Sequence, residues 1–366
     1  MKPEFIDTYS ALQEFLTNLP LPKAGPPCLY VDLEGNDLSR QGTLSLLTVL
    51  VVPRNTVHLV DVTTLGQAAF GTADVNGQTL QSVLESEDII KVFFDIRNDS
   101  DALYSHFGIR VAGIQDVQLM ELAGRSGSKR LINGLSKCIE YESSMGYEKK
   151  REWREVKNRG RRLFAPELGG SFAVFDHRPL TPEIIEYCAQ DVQLLPDLRN
   201  VYRRKLCDAW WKKIAEETGA RISLSQSQNY NGKGRHMTLG PPSWSHWAPT
   251  AAERNSRVLL EQEDGHRASE DSIKAETASA PPKSPHTDST AEPSSSGAVQ
   301  SEIGVIGRAL QQMMQQSAGA SSDGDEDDRY GGFSSSRAYS DSDEDGTGPD
   351  LTACDKECGY CGRCMY

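Results

Sequence analysis

No apolar run in this chain of 366 residues approaches the roughly 20 consecutive residues that a membrane-spanning helix requires. Its first ten residues, Met1 to Ser10, carry Glu4 and Asp7 around no apolar centre, so they resemble neither a secretory signal nor an Arg-rich transit peptide. An intracellular protein, nuclear or cytoplasmic, is therefore expected. Cysteine is sparse. Four of the eight, Cys28, Cys138, Cys188 and Cys207, stand singly in apolar or helical contexts, where reduced buried thiols are expected rather than a disulfide framework. Net positive charge is also lacking, at -13 overall, but between Glu261 and Asp350 there are 19 acidic and 6 basic residues. That segment accounts for the whole deficit. The remainder is neutral, so the acidic balance does not exclude a nucleic-acid partner.

Composition divides the chain. Residues 1–27 read as a helical lead-in, with Leu12, Phe15, Leu16 and Leu19 at helical spacing before a Pro-rich run. Residues 28–220 carry the patterns of a folded domain, and 221–260 form a basic, aromatic extension. Residues 261–350 are rich in Ser, Asp, Glu, Gly and Pro and lack apolar periodicity, which predicts disorder because such a segment buries too little surface to offset chain entropy. Within it, Gly304 to Gln316 holds an apolar patch that reads either as a docking helix or as incidental. A protein partner of the acidic tail is one expectation. Residues 351–366 form a cysteine-rich end.

Inside the folded part, Cys28 to Leu33, Leu44 to Val52 and Thr56 to Val62 are β-like runs with short connections, which predicts an antiparallel meander. Helix and strand patterns then alternate: a helix near Thr79 to Glu85, a strand from Lys91 to Ile96 and helices after Arg97 and Asp116. Another begins at Thr181, followed by a basic one over Leu198 to Thr218. The order predicts an α/β domain with a mixed sheet flanked by helices.

Three features carry chemistry. Asp32 and Glu34 alternate at the end of an apolar strand and so share one face. In VFFDIRNDSDAL a strand runs into a helix whose first turn holds Asp99 and Asp101, where acids also serve as ordinary caps. Tyr187 and Asp191 stand four apart on a helix and project from one side. Singly, each fits a solvated pair, a cap or a hydrogen bond.

In this order and spacing the three resemble the motifs of the 3′-to-5′ exonucleases of the RNase D and Werner-exonuclease group, over roughly Tyr9 to Tyr202. The stretch FFDIRNDSDALYSHFGI looks closest to the exonuclease 3′-5′ domain-containing proteins, and Tyr187 places the chain in the tyrosine (DEDDy) class. The resemblance implies an RNase H-like fold and a nuclease using two Mg²⁺ or Mn²⁺ ions. It also implies roles for Asp32, Glu34, Asp99 and Asp191 as ligands and for Tyr187 in orienting the attacking water. All-oxygen ligands suit these hard cations, which neutralise charge on the phosphate while water is activated. By the same resemblance Asp99, rather than Asp95 or Asp101, is the motif ligand, and residues near Leu44 wedge against the terminal base. His58 and His106 read as structural or surface residues.

For substrate, Lys149, Lys150, Arg151, Arg154, Lys157, Arg159, Arg161 and Arg162 with Trp153 form a basic, aromatic-interleaved stretch. It suits phosphate contact and base stacking, or else a helix laced by Glu148, Glu152 and Glu155. Cys354, Cys358, Cys361 and Cys364 offer either a Zn²⁺ ligand set or unliganded thiols. The expected function is hydrolysis at 3′ ends of RNA or single-stranded DNA. Its alternative is a catalytically silent nucleic-acid adaptor, which would have little need of the complete ligand set.

Overall fold

A computed structural model describes residues 3–20 and 26–256. Its strands are β1 (Glu4–Ile6), β2 (Leu29–Glu34), β3 (Leu46–Val51), β4 (Thr56–Asp61), β5 (Lys91–Phe93) and β6 (Ile114–Asp116). Twelve α-helices are described. The first six are α1 (Tyr9–Thr17), α2 (Val62–Leu65), α3 (Ala68–Gly71), α4 (Leu80–Glu85), α5 (Ile96–Phe107) and α6 (Val117–Gly124). The others are α7 (Leu135–Glu142), α8 (Tyr147–Phe164), α9 (Pro182–Gln193), α10 (Leu195–Arg203), α11 (Asp208–Ser225) and α12 (Ala251–Asn255). The acidic segment 261–350 and the four C-terminal cysteines lie outside the described residues.

The strands form one mixed sheet in the order β1-β4-β3-β2-β5-β6. β2, β3 and β4 are the antiparallel meander; β1 joins β4 in parallel, and β5 and β6 continue from β2 in parallel. Side chains alternate between two cores. Leu29, Val31 and Leu33 of β2, with Leu47 and Val49 of β3, meet α1, α4 and α5 on one face. Tyr30 of β2 and Leu46 and Leu50 of β3 meet the helices from α6 to α11 on the other. Asp32 and Glu34 share Tyr30's parity and therefore enter the second face.

Several elements differ from expectation for local reasons. β1 and β6 have three residues each, too few for a period-2 pattern to show. The strand expected to reach Ile96 ends at Phe93, because Asp95 adopts a left-handed backbone (φ 62°) and caps α5. The polar stretch after Tyr141 contains the 18-residue α8, held by a buried stripe of Trp153, Val156, Lys157, Gly160 and Phe164. The single helix expected over Leu198 to Thr218 is two, α10 and α11, parted by a turn that Leu206 and Cys207 anchor in the core.

Candidate active site

The sheet presents an acidic notch on the face covered by α9. Asp32 pairs in register with Thr48 of β3, and Glu34 with Leu46. Above them α9 starts at Thr181, whose hydroxyl accepts the Ile184 N–H, with Pro182 in the first turn. Its entry is pinned to the meander from below. Arg178 makes a bidentate pair with the buried Asp61 at the end of β4 (2.7 and 2.6 Å), and Ser45 donates to Asp176 (2.5 Å). Burial alone would raise the Asp61 carboxyl, but Arg178 and Thr64 outweigh it and hold it below its ordinary value.

Asp191 of α9 meets the notch, and Tyr187, one turn earlier, packs against Phe164 and Gly160 of α8. One carboxylate oxygen each from Asp32, Glu34 and Asp191 lie within 4.8 Å of one another. Three like charges at that spacing repel by several kcal/mol per pair, on the order of 332/(ε·r) with ε about 20. A cation answers this field best. The buried Cys188 beside them feels it: burial raises its thiol well above the ordinary value, and Glu34, Asp191 and Asp32 push it further. Asp191 Oδ2 is buried and has no hydrogen-bond partner among the described residues. An all-oxygen donor set with an unsatisfied buried oxygen fits a hard divalent cation.

Asp99 lies in the first turn of α5, buried, and outside that group of three. Its neighbouring acids have other partners. Asp95 receives Arg97 (2.6 and 2.5 Å), and Asp101 receives the Arg40 side chain and backbone N–H (2.7 and 2.8 Å). Arg221 of α11 ties Asp116 and Gln118 to this corner (2.8 and 3.0 Å). Of the histidines, His58 packs on Phe15 and meets Glu4, while His106 contacts the Ser39 carbonyl.

Other expected site residues are placed as follows. Leu44 is buried in the core below the sheet, at the connection into β3. Trp153 is a correction: it is 6% exposed and belongs to the core, because it falls on the buried stripe of α8. It offers no open face for a base. Four of the five arginines of α8 are ion-paired: Arg151 to Glu148, Arg154 to Glu140, Arg159 to Glu186 and Arg161 to Glu167. Lys150 donates to the Glu140 carbonyl. Lys149 and Arg162 are exposed and make no ion pair among the described residues. Lys157 points inward instead. Its Nζ is 2.5 Å from Asp191 Oδ1 and 3.4 Å from the centre of the Tyr187 ring. The sequence signal was there, since Lys157 shares the apolar stripe of α8.

Residues 3–206 match the family profile described as 3′-5′ exonuclease, more than half of the chain. The chain belongs to the 3′-5′ exonuclease family. This exonuclease-family chain is 37% identical over 180 residues to the piRNA biogenesis protein EXD1 of Mus musculus, covering 47% of this chain and 28% of that protein. It thus spans under a third of that relative's length. Its fold is similar to Trypanosoma brucei RNase D, solved in complex with GMP (TM-score 0.50, 24% identity, 62% of this chain and 65% of that one). It is similar as well to the same organism's RNase D in complex with RNA U12 (TM-score 0.50, 20% identity, 69% and 77%). These likenesses establish the RNase D-like, mixed-sheet fold.

Proposed function

We propose that the chain is a metal-dependent nuclease that removes nucleotides from 3′ ends of RNA or single-stranded DNA. The observation that carries this reading is the meeting of Asp32, Glu34 and Asp191 within 4.8 Å, in a chain whose family is the 3′-5′ exonucleases. Asp32, Glu34 and Asp191, with Asp99, would hold divalent metal, Mg²⁺ or Mn²⁺. Bound there, divalent metal supplies charge neutralisation for the phosphate and acidifies the attacking water.

The chain's own residues do the rest. The sheet fixes Asp32 and Glu34 side by side on a rigid strand, and α9 holds Asp191 and Tyr187 over them. Tyr187 orients the water; a phenol with an ordinary pKa near 10 is a weak base at neutral pH, so positioning is its role. Leu44, buried in the core on the opposite side of the sheet, offers no open face to the terminal base. Lys149 and Arg162, with the rim arginines of α8 whose exposed ion pairs are weak and exchangeable, supply phosphate contact. RNA is the favoured substrate, since the similar RNase D fold was solved with an RNA.

The adaptor reading has one observation in its favour, the Lys157 ammonium already on Asp191. A single assay separates the two: digestion of matched 5′-labelled RNA and DNA oligonucleotides with Mg²⁺ or Mn²⁺ by the wild type and Asp32→Ala. Exonuclease function predicts shortening by the wild type and a loss of at least about 100-fold in the variant. Equal shortening by both would reject these carboxylates as the site.

A further inference from the structure

Lys157 brings a buried ammonium group into a cluster built for metal. Helix α8 lies along α9, and at Gly160 an added Cβ would fall 2.6 Å from Tyr187 Cδ2. One turn before that contact, Lys157 crosses to α9, with Nζ at 2.5 Å from Asp191 Oδ1 and 3.4 Å from the Tyr187 ring centre. Both partners belong to the third motif. The side chain is 9% exposed, so its charge is answered by these groups and not by bulk water.

A Mg²⁺ ion binds a carboxylate oxygen at about 2.0 to 2.1 Å. An ammonium 2.5 Å from Asp191 Oδ1 occupies the approach to that oxygen, and the two cations exclude one another there. We propose that the Lys157 ammonium takes a position that a divalent ion would otherwise hold, so that this cluster works with one metal ion fewer. The inference rests on the metal-dependent reading above. Lys157 then acts as a positioning residue: it neutralises Asp191, packs against the face of Tyr187 and carries one of the site's positive charges on the chain itself.

The test is a Mn²⁺ titration followed by electron paramagnetic resonance on the full chain, counting only the ions lost in Asp32→Ala, which removes the acidic segment's weak sites from the count. Lys157→Met is expected to bind one more Mn²⁺ per chain than the wild type, and Lys157→Arg the same number. Lys157→Gln, which keeps a hydrogen-bond donor to Asp191 without the charge, is expected to match Lys157→Met and serves if the latter fails to fold. In the neutral variants Mn²⁺ is also expected to raise the melting temperature more than in the wild type, because it replaces a missing charge. Equal, non-zero counts in wild type and neutral variants would overturn the proposal and leave the metal-dependent reading standing. No ion lost in Asp32→Ala, in any background, would overturn both.

Discussion

Glycine inside an exposed helix costs about 1 kcal/mol relative to alanine, so Gly160→Ala would ordinarily stabilise α8. Here an added Cβ would stand 2.6, 2.7 and 2.8 Å from Tyr187 Cδ2, Cβ and Cγ. Turning the ring relieves only the first. Cβ is the stem of the side chain and moves with α9, so the two helices must part by several tenths of an ångström. Overpacking of this kind costs typically about 1 to 3 kcal/mol, which exceeds the helix gain. The net expectation is a loss of up to roughly 2 kcal/mol, a melting temperature lower by up to about 4 to 8 °C for a domain of this size. Separation of α8 from α9 also loosens the Lys157–Asp191 contact and displaces Tyr187. Misplacement of about 1 Å costs roughly 100-fold in rate. Gly219 of α11 is the control, because nothing lies within 4 Å of its added Cβ; Gly219→Ala should gain about 1 kcal/mol. Urea denaturation of both variants, with exonuclease rates, decides the matter. If Gly160→Ala is stabilised like Gly219→Ala and keeps its activity, the close packing of α8 on Tyr187 is wrong.

Four further outcomes follow from named contacts. Lys91, buried on β5 with Nζ donating to the Ser86 carbonyl (2.6 Å), has its ammonium lowered by burial from 10.5 to about 8. Between those values the unfolded chain holds the extra proton, so stability from this group rises with pH, by roughly 3 kcal/mol in all. The wild type should therefore gain on Lys91→Met between about pH 8 and 10.5 in chemical denaturation, and a constant difference would contradict this. Arg221→Met removes the guanidinium from the buried Asp116, which keeps its backbone N–H donors, and should cost roughly 3 kcal/mol by urea titration. Trp153→Ala should destabilise by roughly 3 to 5 kcal/mol and leave the folded protein's affinity for single-stranded RNA nearly unchanged; a selective binding defect would restore Trp153 as a stacking residue. Asp191→Asn should lower the exonuclease rate at least about 100-fold in the folded protein, checked by the same oligonucleotide digestion.

What could be read from the sequence follows from how local each signal is. The meander was legible because β2, β3 and β4 are apolar six-residue runs separated by short polar connections. Alternation put Asp32 and Glu34 on one face, and a spacing of four put Tyr187 and Asp191 on another. That these faces meet is a tertiary fact, reached beforehand through the family resemblance. β1 escaped notice because its partner β4 lies some 50 residues on in sequence. The α8 stretch was hardest: its charges dominate the composition, while five positions decide its packing. Lys157 therefore read as one more surface cation, and Trp153 as a stacking platform. The acids of the second motif look equivalent in sequence, and only the guanidinium partners Arg97 and Arg40 show that Asp95 and Asp101 are tied into the structure.

The most direct test of the central claim compares one single-stranded RNA in two forms, linear with a free 3′ hydroxyl and closed into a circle, incubated with the full chain and Mg²⁺. The account predicts that the 5′-labelled linear form shortens stepwise from its 3′ end, that EDTA stops it, and that the circle survives. Nicking of the circle would contradict a 3′-end exonuclease, and binding of both forms with no shortening of either would establish the adaptor instead.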